Sequence, residues 1–243
     1  MNIVAIIQAR MGSSRLQGKV LKEVMSKPLL EYQLQRVKKS ELITDVVVAT
    51  TLLPSDDLII DLCNELNIKT FRGPENNVLE RYYQAAREYD ANIIVRMTGD
   101  CPLIDPFIID KVIDNYIDNE YDYVSNTQIR TYPRGMDVEV FSGKALKSAY
   151  DNAKKGYEKE HVTPYIYLNK RYFNIGQVQY KENYSKYRLT VDTAEDFNLI
   201  SEILKSIYPN KQLFTLNDII YLLEKEPELI EINKHVKQKK LGE

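Results

Sequence analysis

The chain opens on Ile3-Val-Ala-Ile-Ile7, an unbroken branched apolar run of strand length, the pattern of a parallel strand covered on both faces. Apolar positions then recur with helical spacing at Leu29, Leu30, Tyr32, Leu34 and Val37, with Pro28 in the first turn. Asp45-Val-Val-Val-Ala49 predicts a second strand, Ser55 to Leu66 a helix with Ser55 as its N-cap, and Ile68 to Phe71 a third strand. A second round follows, with a helix over Val78–Tyr89, a strand at Ile93-Ile-Val95, and a helix from Asp105-Pro106 to about Asp118.

Beyond Asp118 the pattern is less regular. Strands are predicted at Asp122–Ser125, Asp137–Phe141, Phe173–Val178 and Arg188–Val191, and helices at Gly143–Ala153, Lys159–Asn169, Ala194–Ile207 and Thr215–Glu224. Strands alternating with helices through short connections imply a Rossmann-like α/β fold, an open and mostly parallel sheet with helices on both faces. The polar–apolar alternation of Asp137-Val-Glu-Val-Phe141 reads as a strand of the irregular half, where at least one antiparallel member is expected, giving a mixed sheet. No Gly/Ser/Pro-rich linker interrupts the chain, so 1–243 reads as a single domain. In open α/β sheets ligands bind beyond the carboxyl ends of the strands, and the two unusual loops, 8–19 and 98–103, each follow a strand directly.

Composition narrows the function classes. With 44% of 243 residues hydrophobic, the chain buries a real core without needing a metal or disulfides. The apolar runs fall far short of the ~20 residues of a membrane helix, and no basic-then-apolar leader precedes the first strand, so a soluble protein with no membrane partner is expected. Lys+Arg at 33 against Asp+Glu at 35 leaves no basic field for nucleic acid, and any anion must be held locally. Two cysteines without a C-x-x-C or Cys/His cluster point to a reducing cytoplasm. The Lys-rich segment His235–Lys240 reads as a solvated, fraying end, and the 18 tyrosines, spread along the chain, as core or half-buried filler.

The loop Gln8-Ala-Arg-Met-Gly-Ser-Ser-Arg-Leu-Gln-Gly-Lys19 gathers glycines, serines and three cations directly after a buried strand. Backbone N–H groups, hydroxyls and cations of this kind wrap polyphosphate; a flexible basic turn is the plainer alternative. It is not a P-loop, because five residues separate Gly12 from Gly18 and Val20 stands where Ser or Thr would hold magnesium. Asp100, in Thr98-Gly-Asp-Cys-Pro-Leu103, is either a ligand for a hard cation beside phosphates or a turn Asp bonding its own backbone. Asp192 is a second carboxylate at a strand end, equally readable as a helix N-cap. Asp137 and Glu139 share one face of a strand, and Glu160-His161 opens or caps a helix; an exposed face and a surface histidine are the alternatives.

The sequence resembles the cytidylyltransferase group of sugar nucleotidyltransferases, which make CMP-activated acidic sugars. Ile6-Ile-Gln-Ala-Arg-Met-Gly-Ser-Ser-Arg-Leu-Gln-Gly-Lys-Val-Leu21 is similar to their N-terminal signature, in the variant of the spore-coat polysaccharide branch. Arg96–Leu103, Gly135–Ser142, Glu160–Pro164 and Thr190–Phe197 extend the likeness in order over most of the chain. Two departures stand out: Gln17 replaces the usual Pro, and Thr98 occupies the place of a Gln that reads cytosine in several sugar-acid enzymes. The resemblance implies a nucleotide-diphospho-sugar transferase (GT-A-like) fold and transfer of a nucleotidyl group from CTP to a sugar or sugar acid, with pyrophosphate released. It further implies a cytoplasmic homodimer using Mg²⁺. Arg15, Lys19 and Asp100 are then the catalytic candidates. Ala9, Arg10, Gly12, Ser13, Ser14, Arg15 and Lys19 would bind the nucleotide, with Arg72 and Thr98 near its base. Asp100 and Asp192 would hold the metal, and Asp137, Glu139 and His161 the acceptor. Two alternatives remain: a glycosyltransferase on the same sheet, disfavoured because Thr98-Gly-Asp100 lacks the first Asp of an Asp-x-Asp motif, and a non-enzymatic nucleotide-binding regulator.

Overall fold

In the computed structural model, which describes residues 1–239, the first apolar run forms β1 (Ile3–Gln8), buried throughout from Ile3 to Ile7. A small hairpin of β2 (Glu23–Val24) and β3 (Lys27–Pro28) leads into α1 (Leu29–Val37). Then come β4 (Asp45–Thr51), α2 (Asp57–Glu65), β5 (Lys69–Gly73), α3 (Val78–Glu88), β6 (Ile93–Thr98) and α4 (Pro106–Ile117). The second half contributes β7 (Tyr123–Ser125), β8 (Glu139–Ser142), α5 (Gly143–Asn152), α6 (Gly156–His161), α7 (Pro164–Leu168) and β9 (Ile175–Gln177). Three helices, α8 (Ala194–Ile207), α9 (Leu216–Lys225) and α10 (Glu228–Glu231), follow.

Seven strands form one sheet in the order β5-β4-β1-β6-β8-β7-β9. All pairings are parallel except those of β8, which runs antiparallel to both β6 and β7. This is the expected mixed, mostly parallel sheet. Side chains of β1 alternate between two layers: Ile3, Ala5 and Ile7 pack with α1, α4, α8 and α9, and Val4 and Ile6 with α3 and α5. A strand sandwiched in this way has no polar face, which explains its unbroken apolar run.

Three local expectations are corrected. Arg188–Val191 is extended but forms no strand: Leu189 N–H donates to Arg134 O at 2.7 Å and Val191 N–H to Asp100 O at 2.9 Å, so its hydrogen bonds go to two loops. Gly135 permits this approach, with a φ of +97° and an added Cβ only 2.3 Å from Leu189 O. The helix expected over Lys159–Asn169 is split into α6 and α7, because Val162 turns left-handed (φ 71°) and Pro164 has no N–H to continue the ladder. Ser55 is not an N-cap but lies in a short 3-10 turn, and Asp56 takes the cap position of α2. The end read as solvated is largely exposed and outside any helix or strand over 235–239, as expected, although Asn233 just before it is buried and donates to Arg188 O at 3.0 Å and Asp196 Oδ1 at 2.8 Å; Lys240 lies outside the described residues.

Candidate active site

A cleft of about 500 Å³ opens at the carboxyl ends of β1 and β6. The loop after β1 forms one wall and is held in shape from below. The Asp56 carboxylate, fully buried, accepts the Met11 N–H at 2.7 Å and the Thr50 hydroxyl at 3.1 Å, with a further bond from Thr51. Met11 O in turn accepts Ser13 N–H at 2.9 Å and Gly18 N–H at 3.0 Å, closing the loop on itself. Burial works against the charge on Asp56, but the Thr51 hydroxyl, the Met11 N–H and Thr50 outweigh it and hold its pKa below the ordinary carboxylate value. Ala9, Arg10, Gly12, Ser13, Ser14, Arg15 and Lys19 all face the cleft. Asp56 was missed from sequence, where an acid shortly after two threonines that end an apolar strand is the one signal available.

The far wall brings the two carboxylates together. Lys19 Nζ lies 2.8 Å from Asp100 Oδ2 and 2.8 Å from Asp192 Oδ1. Arg15 reaches Asp192 Oδ2 at 2.9 Å, and Arg188 reaches the same oxygen at 2.7 Å while gripping Asp196 at 2.8 Å. The second oxygen of Asp100 accepts the Thr98 hydroxyl at 2.5 Å. Asp192 is not the N-cap of α8: Thr193 holds that position, accepting from Asp196 N–H. Burial tends to raise the Asp192 pKa, yet Lys19 and Arg15 dominate and hold it down to about 2. Burial also opposes the charge on Lys19, and the attraction of Asp100 and Asp192 keeps its pKa above the ordinary lysine value.

Other expected site residues lie elsewhere or are already engaged. Arg72, expected near the base, stands outside the cleft: its guanidinium donates to Thr51 O at 2.8 Å, Asp57 Oδ1 at 2.6 Å and Leu53 O at 2.9 Å. Glu139 does not line the cleft but is buried behind it, paired with Arg96 and accepting from Tyr123 and Thr163 hydroxyls, each at 2.6 Å. Asp137 does face the cleft, in a two-pronged pair with Arg130 at 2.5 and 2.9 Å. His161 also lines it, and burial lowers its pKa, so its ring is neutral at pH 7. Arg96 and Arg188 were given no part from sequence, although a charged residue inside an otherwise apolar strand pattern is a usable flag.

The donor set suits a hard divalent cation. Two carboxylates already converge on a single cationic nitrogen, each with another oxygen fixed by a hydroxyl or guanidinium, so Asp100 and Asp192 would be the residues to hold such an ion beside bound phosphates. Among the described residues no group of three or more His, Cys, Asp or Glu is arranged for a metal, so the protein offers a two-carboxylate site and not a closed cage.

This sheet, with a cationic loop and paired carboxylates beside the carboxyl ends of its central strands, has the place and charge of an α/β site for a phosphate-bearing ligand. A family model described as Cytidylyltransferase matches residues 4–236. An uncharacterized protein of Methanocaldococcus jannaschii is 42% identical over 245 residues, covering 100% of this chain and 99% of that protein. The spore coat polysaccharide biosynthesis protein SpsF of Bacillus subtilis is 32% identical over 234 residues, 93% of this chain and 96% of that one. A solved cytidylyltransferase from Leptospira borgpetersenii serovar Hardjo-bovis superposes with a TM-score of 0.91 at 34% identity, covering 99% of each chain. The chain belongs to the cytidylyltransferase family.

Proposed function

We propose that the protein transfers the cytidylyl group of CTP to a sugar or sugar acid destined for surface glycan, releasing pyrophosphate. The observation that carries this reading is the meeting of Asp100 and Asp192 at one ammonium beneath a cationic, glycine-containing loop. An acceptor oxygen bonds the α-phosphorus in line as the bond to pyrophosphate breaks, which asks the protein for positioning and charge neutralisation and needs no covalent enzyme intermediate. Ala9, Gly12, Ser13 and Ser14 line the path of the phosphates, while Arg10, Arg15 and Lys19 balance their charge. Mg²⁺ held by Asp100 and Asp192 would supply further neutralisation at the phosphate oxygens. Thr98 lines the cleft and fixes Asp100 through its hydroxyl, within reach of a bound base. On the acceptor side, Asp137 and the neutral ring of His161 are available as hydrogen-bond partners, and Glu139 acts through Arg96.

The reading takes residues 1–243 as one catalytic unit that works as a homodimer in the cytoplasm. The buried free thiols of Cys63 and Cys101 suit a reducing compartment, and no helix among the described residues is long and apolar enough to cross a membrane. A glycosyltransferase of the Asp-x-Asp kind would want a carboxylate where Thr98 stands. The test is pyrophosphate release from CTP, UTP, ATP and GTP with Mg²⁺ against a panel of sugar acids and neutral sugars, with light scattering for the assembly. CTP should be preferred. Equal turnover of UTP would remove the cytidylyl assignment, and absence of pyrophosphate with every pair would remove nucleotidyl transfer.

A further inference from the structure

The segment after α10 returns to the cleft. Asn233 pins it at one end by two buried hydrogen bonds, and Gln238 Oε1 accepts from Arg188 Nη1 at 2.5 Å at the other. Between the two pins the chain bridges a cavity of about 160 Å³ lined by Arg134, Tyr187, Leu199 and Leu223. It is therefore a strap fastened at both ends, and it carries Gln238 and Lys239 into the wall of the cleft that Arg15 and Asp192 also line.

The fastening bears on charge. Arg188 divides its guanidinium between Asp192, Asp196 and Gln238, so Gln238 fixes the rotation of the group that orients Asp192. Of the cations that line the cleft, Lys19, Arg15 and Arg96 already face carboxylates, Arg10 faces Glu75 at 3.5 Å, and Arg134 and Lys239 complete the set. A nucleoside triphosphate brings three to four negative charges, concentrated on its two outer phosphates. Lys239 adds an ammonium on a long, rotatable stem to the lining of the same cleft.

We propose that Asn233–Lys239 is a working part of the triphosphate subsite, with Gln238 as a positioning residue acting through Arg188 on Asp192 and Lys239 as a cation for the β- and γ-phosphates. This rests on the nucleotidyl-transfer reading above. The strap then discriminates the triphosphate and the pyrophosphate product from the monophosphate, which lacks the groups it meets.

The test compares binding of CTP, CMP and inorganic pyrophosphate, with Mg²⁺, to the wild type, Gln238→Ala, Lys239→Ala and a chain ending at Lys234. Each variant should weaken CTP and pyrophosphate by about threefold to tenfold, the size of a partly exposed charge-assisted contact, while CMP affinity stays within about twofold. Gln238→Asn, which keeps the amide on a shorter stem, should restore part of the loss. In turnover the variants should raise KM for CTP more than they lower kcat. Equal losses for CTP and CMP would make the strap a structural brace only, and unchanged CTP binding in all variants would overturn the proposal. Failure of the wild type to bind any nucleotide or release pyrophosphate would instead overturn the underlying reading, so the two failures are distinct.

Discussion

Removing the ammonium that joins the two carboxylates should uncover their repulsion. In Lys19→Met the apolar stem is largely kept and the charge is lost. Both oxygens lie 2.8 Å from Lys19 Nζ, so they stand no farther apart than about twice that distance. Two like charges roughly 5 Å apart repel by about 3 kcal/mol at an effective dielectric of about 20. Asp192 keeps Arg15 at 2.9 Å and Arg188 at 2.7 Å, which offsets part of this. The expected loss is therefore about 1–2 kcal/mol, or a fall in Tm of about 3–6 °C for a chain of this size. The assay is thermal unfolding without divalent ions of four proteins: wild type, Lys19→Met, Asp100→Asn and the double variant. Because the harm is the repulsion itself, the double variant should be no less stable than Asp100→Asn by more than about 0.5 kcal/mol. Added MgCl2 should raise the Tm of Lys19→Met more than that of the wild type, since no ammonium competes for the carboxylates. Strictly additive losses, or a Lys19→Met protein as stable as wild type, would refute the argument.

Further outcomes follow from the same geometry. Thr98→Val deletes the hydroxyl that fixes Asp100 and should lower kcat about tenfold, the worth of one such hydrogen bond, with the CTP-to-UTP preference unchanged; a changed preference would put Thr98 at the base. Arg72→Met should cost about 1 kcal/mol of stability and leave nucleotide selectivity alone, measured by urea unfolding and the same turnover ratio. Glu139→Gln leaves the buried Arg96 without its carboxylate and should cost about 3 kcal/mol, with CTP affinity measured by calorimetry staying at the wild-type value. Asp192 has its pKa lowered from 3.8 to about 2, so its share of stability is complete above the unfolded value and is lost as pH falls toward the folded one. That share is about 2 kcal/mol, and Asp192→Asn should flatten the acid limb of a stability profile between pH 4 and pH 2.

The parallel half of the sheet was legible because β1, β4 and most of β6 are covered on both faces, leaving few polar positions to confuse period two with period 3.6. Loop 8–19 was legible because three cations without an acid have no use in a core. Glu139 was misplaced for a physical reason. Alternation assigns it to a face of β8 but does not say that Tyr123 and Thr163 close over that face. Arg188–Val191 has strand composition, yet its partners are Arg134 and Asp100 in loops, and such pairing leaves no periodic mark. The strap was hidden by its lysines, since one buried side chain, Asn233, is what fastens a segment that is otherwise charged and exposed.

The backbone bonds from Val191 N–H and the Thr190 hydroxyl to Asp100 O, at 2.9 and 3.1 Å, have a consequence for how the molecule is made. A ribosome adding roughly 5–20 residues per second completes the strands from β1 to β6, with their cationic loop, several seconds before Asp192 leaves it. During that interval the nascent sheet end carries Arg15 without Asp192 and Lys19 with only Asp100 of its two partners. The emerging chain is thus locally basic where the finished protein is balanced, and joining the two is one of the last steps by which its folding closes.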